Sequence, residues 1–432
     1  MKKKVYVGLS ADILHKGHIN ILKIANSYGD VYVGLLTDKA IASYKNIPYL
    51  NYDKRKVILE NIKFVKKVIP QKTLDYSDNL KLIKPHIVVH GNDWKTGIQK
   101  STRKKVIQVL KKWGGRLIEP EYTKNISSTS IKREMANIIS TPENRVSRLK
   151  RLIESKDIVR ILESHNSLTG LMIENTKVTK RNKIFSFDGM WSSSLTDSAT
   201  KGLPDNSSLS FSARIASLQS IMDVTSKPLV FDGDNGGQIE HLSFLIRSLE
   251  RSGVSAIIIE DKVGLKKNSL FKNQNESKQD KPSIFAKKIK KICTVRKSKD
   301  FMVIARIESF ILGKGINDAL KRAQTYAKAG ADAILIHSKE KTTKEIFSFA
   351  RKFKKNNFYL PLVCVPSTYS KVYEKDLIKN GFRMVIYANQ LLRAAYPAMK
   401  VTVKTILKNQ RAFEVDKKII SINEIISLIK NS

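Results

Sequence analysis

Short apolar runs separated by amphipathic segments dominate the C-terminal two thirds of the chain. A continuous apolar run of four to six residues is typical of a strand that is covered on both faces. The segments between them, such as 238–252 and 316–329, repeat apolar residues at helical spacing. This alternation predicts a (β/α)8 barrel, a fold of roughly 250 residues. The predicted strands are residues 168–173, 183–187, 228–231, 256–260, 302–307, 333–337, 360–365 and 383–387.

The N-terminal third alternates in the same way, which predicts a small doubly wound, Rossmann-like parallel sheet. The motif Thr141-Pro142-Glu143-Asn144 then interrupts the alternation, and two basic segments at 146–154 and 158–164 have a helical pattern. The predicted domains are a nucleotide-binding unit at 1–137, a linker at 138–150 and the barrel at 151–432, in the α/β class. The predicted N-terminal strands are 5–8, 31–36, 86–90 and 116–118, with helices from 17, at 53–65 and from 101.

Composition places the chain among reducing-compartment proteins. Its 432 residues include two cysteines, Cys293 and Cys364, with no CxxC spacing, so neither a disulfide framework nor a zinc site is expected. No signal-like apolar segment follows Met1, and no apolar stretch approaches the roughly 20 residues that span a bilayer. We expect a cytoplasmic protein without a membrane partner.

The charge is extreme. There are 79 Lys and Arg against 39 Asp and Glu, a formal net charge of +40. Such a charge can indicate nucleic-acid or membrane binding. The basic residues are spread over the whole chain, however, which favours a general lysine bias. We therefore predict no specific nucleic-acid partner, with attraction of phosphorylated substrates as a by-product.

Acidic residues follow two neighbouring runs of the predicted barrel. Asp232 and Asp234 come directly after one run, and Glu260 ends the next. The carboxyl ends of barrel strands converge on one mouth, where such folds keep their active sites. These carboxylates could hold Mg²⁺, partly through waters. Taken singly, each could instead cap a helix N-terminus.

Further polar residues are predicted to reach the same mouth. Arg306 could grip a carboxylate or phosphoryl group through two hydrogen bonds, or could pair internally with Glu308. His337 could bond a substrate oxygen or be a satisfied core histidine. The serines beside Trp191 could bind an anion through backbone N–H groups. Asp205, on sequence alone, is only a polar loop residue.

The N-terminal unit contains a second candidate site. Two histidines, His15 and His18, flank Gly17 where a strand ends and a helix begins. Imidazoles in that position could face a phosphate docked on the helix N-terminus, although core packing could also explain them. Two downstream segments support this site: 90–95 directly follows a strand, and 126–133, at a helix start, offers hydroxyl and N–H groups suited to a triphosphate.

These N-terminal motifs resemble the nucleotidylyltransferase superfamily of the glycerol-3-phosphate cytidylyltransferase type, over about residues 3–136. The resemblance implies transfer of CMP from CTP, with His15 and His18 stabilising the transition state. Tyr122 and Asn125 replace an arginine and a glycine of that family, which leaves glycerol 3-phosphate unsupported as the acceptor. The residues implied to bind nucleotide are Gly8, Asp12, Gly17, Lys45, Arg55, Asp93, Trp94, Ser127, Ser128 and Thr129.

The C-terminal motifs are similar to the phosphoenolpyruvate phosphomutase family of the isocitrate lyase superfamily, from about Ser147 onwards. The resemblance implies interconversion of phosphoenolpyruvate and phosphonopyruvate with Mg²⁺. The motifs are Trp191-Ser192-Ser193-Ser194-Leu195, Asp232-Gly233-Asp234, Glu260-Asp261-Lys262, Lys266-Lys267-Asn268-Ser269, Ala305-Arg306-Ile307-Glu308, Ile336-His337-Ser338-Lys339 and Tyr387-Ala388-Asn389.

The same resemblance assigns roles. Asp232, Asp234 and Glu260 hold the metal. Trp191, Ser193 and Leu195 line the substrate, together with Ser269 and Glu308. Asp205 lies near the migrating phosphoryl group, either as a transient nucleophile or as a stabiliser of a metaphosphate-like species. Arg306 and His337 hold the substrate, and Lys266, Asn268 and Ser269 lie on a loop that closes over it.

The resulting prediction is a bifunctional phosphonate-biosynthesis enzyme that uses Mg²⁺ and, in its N-terminal unit, CTP and a phosphonate acceptor. The superfamily's lyases carry a cysteine on the closing loop, which this sequence lacks. Phosphonopyruvate hydrolase is the nearer alternative, and the Asn268-Ser269 pair favours the mutase. A basic nucleic-acid-binding protein is the non-enzyme alternative. The family's barrels also imply a homo-oligomer, a dimer or tetramer.

Overall fold

A computed structural model describes residues 2–96, 99–121, 141–180, 183–264, 266–270, 278–356 and 359–428. Two α/β units follow one another along the chain, as the alternating pattern predicts. In the described residues, none of the helices combines the length and the apolar character needed to cross a bilayer.

The N-terminal unit is a parallel sheet of five described strands in the order β3-β2-β1-β4-β5, with helices on its faces. This confirms the doubly wound prediction. The strands are β1 Lys4–Leu9, β2 Asp30–Leu36, β3 Val65–Gln71, β4 Ile87–Val89 and β5 Arg116–Ile118. The helices are α1 Lys16–Tyr28, α2 Asp38–Ala42, α3 Tyr52–Glu60, α4 Ser77–Ile83 and α5 Lys100–Leu110, with 3-10 turns at Asn92–Lys95 and Lys111–Trp113.

Strand β3 is absent from the sequence prediction, which assigned residue 65 to the end of a helix. The strand lies at the edge of the sheet and pairs with β2 alone. Its Lys66 and Lys67 are exposed, and Pro70 occupies an edge position that does not need an N–H donor. An edge strand of this kind lacks the continuous apolar run that identifies a buried strand.

The C-terminal unit is a closed parallel barrel of eight described strands, in the order β10-β11-β14-β15-β16-β17-β6-β9. The short pairs β7–β8 and β12–β13 lie outside it. The strands are β6 Val159–Glu163, β7 Val178–Lys180, β8 Lys183–Phe185, β9 Gly189–Ser192, β10 Leu229–Asp232, β11 Ala256–Glu260, β12 Lys262–Val263, β13 Lys278–Gln279, β14 Met302–Ile307, β15 Ala333–Ile336, β16 Leu362–Cys364 and β17 Phe382–Tyr387.

The first two barrel strands differ from the prediction. Residues 158–164, predicted as helix, contain β6, and residues 168–173, predicted as strand, lie in a helix. Asn166 caps that helix by accepting a hydrogen bond from the Thr169 amide at 2.9 Å. Residues 183–185 do form a strand, but in the hairpin outside the barrel, and β9 takes the second barrel position. Short apolar runs are ambiguous between helix and strand, and capping decided this case.

Helices surround the barrel, and two apolar layers separate its inside from its outside. Alternate strand residues such as Ile161, Val230 and Ile304 fill the interior, while their neighbours pack against the helices. The helices are α6 Pro142–Ser155, α7 Ser167–Asn175, α8 Ser194–Ala199, α9 Phe211–Asp223, α10 Leu242–Arg251, α11 Pro282–Val295, α12 Gly315–Lys328, α13 Lys344–Lys355, α14 Glu374–Lys379, α15 Gln390–Asn409 and α16 Ile422–Leu428, with a 3-10 turn at Phe413–Lys418.

Helix α6 closes the N-terminal mouth of the barrel. Its fully buried Leu149 belongs to the interior cluster, which includes the first residues of several strands, such as Ala256 and Met302. Ile47 of the N-terminal unit belongs to the same cluster and is 5% exposed. The predicted linker end at residue 150 therefore falls within a helix that packs against both units.

Candidate active sites

The acidic residues that follow β10 are brought together at the C-terminal mouth of the barrel. Asp232 is the last residue of its strand, and its Oδ2 accepts a hydrogen bond from the Ser194 hydroxyl at 2.8 Å. Asp234 follows in a left-handed conformation with φ of 47°, where its amide lies 3.3 Å from Asp232 Oδ1. Both side chains are buried. The turn thus places both carboxylates near the Lys266 ammonium.

Cations hold Asp232 in its charged form. Burial alone would raise the pKa of this carboxyl group, but the charges of Lys266, Arg214 and Arg306 outweigh burial and lower the pKa to about 2. Glu260, at the end of β11, is different, because burial raises its pKa to about 7 despite the nearby charge of Arg306. An ionised carboxylate beside a readily protonated one is an arrangement typical of a functional site.

Glu308 is the centre of a second group of contacts. Its Oε1 accepts a hydrogen bond from Arg306 Nε at 2.5 Å and lies 3.0 Å from His337 Nδ1. Its Oε2 accepts a hydrogen bond from the Ser269 hydroxyl at 2.5 Å. Burial would raise the pKa of Glu308, yet the charges of Arg306 and His337 hold it well below the usual range. The internal pairing of Arg306 with Glu308, left open by the sequence, is therefore present.

The ion pair with Glu308 leaves Arg306 able to make further contacts. Its Nη2 atom also lies 3.2 Å from Glu260 Oε2 and donates to Ser269 Oγ at 2.9 Å. The guanidinium lines the same cavity as Asp232 and His337. Arg306 thus links the acidic group at β10 and β11 to the group around Glu308.

The described part of the predicted closing loop, residues 266–270, packs over this cavity. Asn268 Nδ2 donates to Asp205 Oδ2 at 3.0 Å. Lys266 Nζ lies 2.9 Å from Asp205 Oδ1 and 3.9 Å from Asp232 Oδ2, and it also contacts Asp234. Asp205, which sequence alone placed only in a loop, is therefore drawn into the site by two residues of the closing loop.

The cavity beneath the loop is small, about 70 Å³, and residues 266–270 of the loop form part of its lining. Trp191, Ser193 and Leu195 line it as predicted, and Asp234 and Glu308 lie behind its wall. The lining residues outside the sequence motifs are Leu270, Leu335, Val365 and Ser367, while Ser194, Lys267, Ala388 and Asn389 belong to motifs quoted above.

The donor set at this mouth fits a hydrated hard cation held mainly by one residue. In the described residues, no three acidic, histidine or cysteine side chains converge as direct ligands of one metal ion. Asp232 is the residue best suited to direct contact, because it is ionised and at a strand end. Asp234 and Glu260 are placed for contact through water, as Mg²⁺ usually keeps several of its waters.

Arg214 and Asp261 support the site, and no sequence motif indicated Arg214. Arg214 is 1% exposed, donates to Asp197 Oδ2 at 2.9 Å and donates to the Asp232 backbone oxygen at 2.5 Å. Asp261, adjacent to Glu260, points away from the cavity and accepts a hydrogen bond from Tyr326 at 2.7 Å. Arg214 lies inside α9, outside every motif quoted from the sequence, so no local pattern reveals its role.

The N-terminal site forms where β1 meets α1. His15 is the N-cap of α1, and its Nδ1 accepts a hydrogen bond from the Gly17 amide at 3.1 Å. The rings of His15 and His18 lie 4.0 Å apart between centroids. Both rings line a cavity of about 500 Å³, a volume suited to a small-molecule ligand. The predicted pairing of two imidazoles at a helix N-terminus is present.

Other predicted residues line this cavity as well, among them Gly8, Gly17, Lys45 and Asp93. Gly8 is required there, because a Cβ would lie 2.3 Å from the Tyr76 hydroxyl. Lys45 donates to the Ser10 hydroxyl at 3.2 Å, which keeps its ammonium beside the histidines.

Three residues that were predicted to bind nucleotide lie behind the cavity rather than on its surface. Asp12, Arg55 and Trp94 are each 1% exposed and do not line the cavity. Trp94 supports the wall by stacking on His90 at 3.8 Å between centroids. Asp12 and Arg55 bond to the backbone around the site. Ser127, Ser128 and Thr129 lie outside the described residues.

Comparison with known families decides the barrel's membership. The sequence profile of phosphoenolpyruvate phosphomutase matches residues 149–407, more than half of the chain. The chain belongs to the phosphoenolpyruvate phosphomutase family. A second profile, described as cytidylyltransferase-like, matches residues 6–134. The protein is therefore an enzyme of the mutase family that carries a nucleotidyltransferase-type unit, and the nucleic-acid-binding alternative is set aside.

Two relatives of this phosphomutase-family chain have the same sequence identity to it. It is 35% identical to phosphoenolpyruvate phosphomutase of Tetrahymena pyriformis over 287 residues, 66% of this chain and 91% of the relative. It is also 35% identical to phosphonopyruvate hydrolase of Variovorax sp. (strain Pal2) over 271 residues, 62% and 91% respectively. A solved structure of phosphonopyruvate hydrolase with oxalate and Mg²⁺ matches with a TM-score of 0.59 at 32% identity, covering 66% of this chain and 94% of that one.

The N-terminal histidines provide a pH prediction. Burial lowers the pKa of His18 to about 3, assisted by the charges of His15 and Lys45. The folded protein therefore leaves His18 neutral where an ordinary histidine near pKa 6.5 takes up a proton. In an NMR titration from pH 8 to pH 5, we expect the His18 ring resonances to stay constant. The stability contributed by neutral His18 is complete above pH 6.5 and falls as the pH drops toward 3.

The same titration in denaturant serves as the reference, because unfolding returns a histidine ring to its ordinary pKa near 6.5. A His18 transition near pH 6.5 would contradict the burial of this ring.

Proposed function

We propose that the barrel interconverts phosphoenolpyruvate and phosphonopyruvate. In this reaction the P–O bond of phosphoenolpyruvate breaks and a C–P bond forms at the methylene carbon of the same molecule, so no outside reactant is consumed. The observation that carries the proposal is the loop 266–270 held against the strand-end cluster, with Ser269 on Glu308 and Asn268 on Asp205. Such closure protects a phosphoryl group in transit from water.

Mg²⁺ bound mainly by Asp232 would neutralise the charge of the substrate oxygens. The solved phosphonopyruvate hydrolase that holds oxalate and Mg²⁺ supports this choice of metal. Asp234 and Glu260 would hold the waters of the ion.

Different residues of the cavity would bind different groups of the substrate. Ser193 would bind the carboxylate, with Trp191 and Leu195 on either side of the carbon skeleton. Arg306 and His337 are placed to bind the phosphoryl and enolate oxygens, since both line the cavity and touch each other at 3.0 Å. Asp205, fixed by Lys266 and Asn268, would lie next to the moving phosphoryl group. Loose phosphoryl transfer needs mainly such positioning and charge.

Hydrolysis of phosphonopyruvate is the competing activity, because mutase and hydrolase relatives are equally similar. The hydrogen bond from Asn268 to Asp205 favours the mutase, since it closes the loop over the position of the phosphoryl group. A lyase that depends on a loop cysteine is disfavoured. Cys293 lies in α11, and Cys364 lies in β16, where it is fully buried.

The mutase proposal predicts the products of a simple incubation. With phosphonopyruvate and Mg²⁺, ³¹P NMR should show phosphoenolpyruvate. Asp232→Asn removes the charge that holds the cation, so its turnover should fall by about 10³-fold or more. Mn²⁺ binding followed by electron paramagnetic resonance should weaken in parallel.

Asp223→Asn is the matched control, because Asp223 is exposed at the end of α9. It should behave as the unaltered protein does. Pyruvate and phosphate as the sole products would mean a hydrolase, and full activity of Asp232→Asn would refute its metal role.

For the N-terminal unit we propose transfer of CMP from CTP to a phosphonate. A phosphonate oxygen attacks the α-phosphorus of CTP and pyrophosphate leaves. The phosphates would dock at the N-terminus of α1, where His15, His18 and Lys45 line the cavity. The presence of both units in one chain makes a phosphonate downstream of phosphonopyruvate the favoured acceptor, such as 2-aminoethylphosphonate or 2-hydroxyethylphosphonate. Together, the two activities would make this a phosphonate-biosynthesis enzyme.

This proposal predicts pyrophosphate release from CTP only when a suitable phosphonate is present. His15→Ala should lower the rate by about 10²-fold or more, because the ring faces the transferred phosphate. His241→Ala changes an exposed histidine in the barrel and should have no effect. Absence of pyrophosphate release with every phosphonate tested would reject the acceptor class.

We also propose that the chain forms a homo-oligomer, a dimer or tetramer, through α15. Among the described residues, none of the helix's twenty is buried. Tyr396, Met399, Val403 and Leu407 are spaced along one face and are 61%, 55%, 57% and 73% exposed. An uncovered apolar stripe of this kind is typical of a protein interface, and a second copy is the partner that the family resemblance implies.

Sedimentation velocity tests this assembly. The unaltered protein should sediment as a dimer or tetramer, while Met399→Glu combined with Leu407→Glu should shift it toward the monomer. Lys408→Glu, exposed on another face of the same helix, is the control because it changes the charge by the same amount as the double substitution. A monomeric unaltered protein at micromolar concentration would contradict the proposal.

A further inference from the structure

The contact between the two units is built around one arginine of the barrel unit. Arg151 lies in α6, within the residues matched by the phosphomutase profile. Its Nη1 donates to the Tyr49 backbone oxygen at 2.8 Å, and its Nη2 donates to the Pro48 oxygen at 2.7 Å. The same Nη2 lies 3.2 Å from Asp38 Oδ2. One guanidinium therefore holds three groups of the cytidylyltransferase-like unit.

The segment that Arg151 holds has no helix or strand of its own. Residues 45–50 connect α2 to α3 as irregular backbone. On its other side, the Tyr49 amide donates to Asp12 Oδ1 at 2.6 Å, and the Leu50 amide donates to the same oxygen at 3.4 Å. Irregular segments are positioned by such individual bonds rather than by a ladder. The segment is thus fixed between Asp12 and Arg151.

A second path leads from Arg151 to the strand end at the site. Asp38 accepts from Arg151 through one oxygen and from Arg55 Nη2 through the other, at 2.6 Å. Arg55 is buried and donates in turn to the Ser10 backbone oxygen at 2.5 Å. Ser10 follows β1, and its hydroxyl accepts from Lys45. Asp38 therefore connects the barrel unit to the backbone just before the histidine motif.

Lys45 is the residue of the cavity that these contacts position most directly. It begins the irregular segment, lines the cavity with His15 and His18, and bears on Ser10. Ile47, two residues further on, is buried in the interior cluster with Leu149 and Leu152 of α6. Both the polar and the apolar part of the unit contact therefore act on the segment that carries Lys45.

We propose that Arg151 is a positioning residue for the N-terminal site, so that this site is complete only when the barrel unit is docked. The catalytic part of the inference rests on the proposed nucleotidyl transfer, whereas the fixing of residues 48–50 does not. A displacement of about 1 Å at a phosphate-binding lysine can reduce a transfer rate by about 100-fold. The barrel would thereby control a reaction that takes place outside it.

The test uses the full-length chain and three variants. Arg151→Ala removes the hydrogen bonds that hold residues 48–50, which we call the clamp. Arg151→Lys keeps the positive charge but lacks the planar pair of donors. Lys150→Ala is the matched control. Lys150 is a neighbour on the same helix that pairs with Asp300 of the barrel at 3.4 Å. Mutase turnover is measured in every sample, and it should be unchanged, which verifies the fold of each variant.

Two measurements distinguish the positioning of residues 48–50 from the rate of nucleotidyl transfer. In hydrogen exchange, the Tyr49 and Leu50 amides should exchange at least about tenfold faster in Arg151→Ala than in the unaltered chain or Lys150→Ala. In CTP-dependent pyrophosphate release with 2-aminoethylphosphonate, kcat/KM should fall about 10- to 100-fold in Arg151→Ala, mainly through kcat, and recover partly in Arg151→Lys.

The outcomes have distinct meanings. Unchanged exchange at the Tyr49 and Leu50 amides in Arg151→Ala would refute the clamp. Faster exchange with undiminished pyrophosphate release would refute the positioning role. If the unaltered chain neither bound CTP in calorimetry nor released pyrophosphate, the proposed nucleotidyl transfer and the catalytic part of this inference would fall together, while the exchange result would still decide the clamp.

Discussion

Neutralising carboxylates that are buried at the mouth of the barrel is the constraint on which the mutase-type site depends. Unpaired charges in such a position are costly, so cations from other elements must accompany them. Arg306 from β14 serves Glu260 and Glu308, and Lys266 from the closing loop serves Asp205 and Asp234. The same contacts that satisfy the charges also draw the loop over the cavity. The contacts that neutralise the buried carboxylates are therefore the same contacts that close the loop over the cavity.

The sequence predicted this arrangement in part. The barrel, the carboxylates at the ends of β10 and β11, and the lining role of Arg306 follow from apolar runs that end in polar residues, because strand ends meet at one mouth. Glu308 was assigned to the substrate through the family resemblance alone, and its central position could not be foreseen because it arises from side chains on three separate elements. Arg214 has no local signal for the same reason. The first two strands were misplaced because short apolar runs fit either a helix or a strand.

The two units meet at the N-terminal mouth of the barrel, and the mutase-type cluster lies at the C-terminal mouth. A direct passage of product between the sites is therefore not built into the contact through α6. The contact instead fixes the position of a backbone segment, since Arg151 bonds to Pro48 and Tyr49 beside the N-terminal site. Sequence motifs could not reveal this, because an arginine on a basic helix is an ordinary surface residue until the docking is known.

In the proposed reaction, the loop that is fixed on Asp205 and Glu308 keeps water from the phosphoryl group. The most direct test is the division of phosphonopyruvate between phosphoenolpyruvate and pyruvate plus phosphate, measured by ³¹P NMR for the unaltered protein and Asn268→Ala. The account predicts that the unaltered protein forms phosphoenolpyruvate and that Asn268→Ala, with the bond to Asp205 lost, diverts a larger share to phosphate. An identical division of products in the two proteins would contradict it.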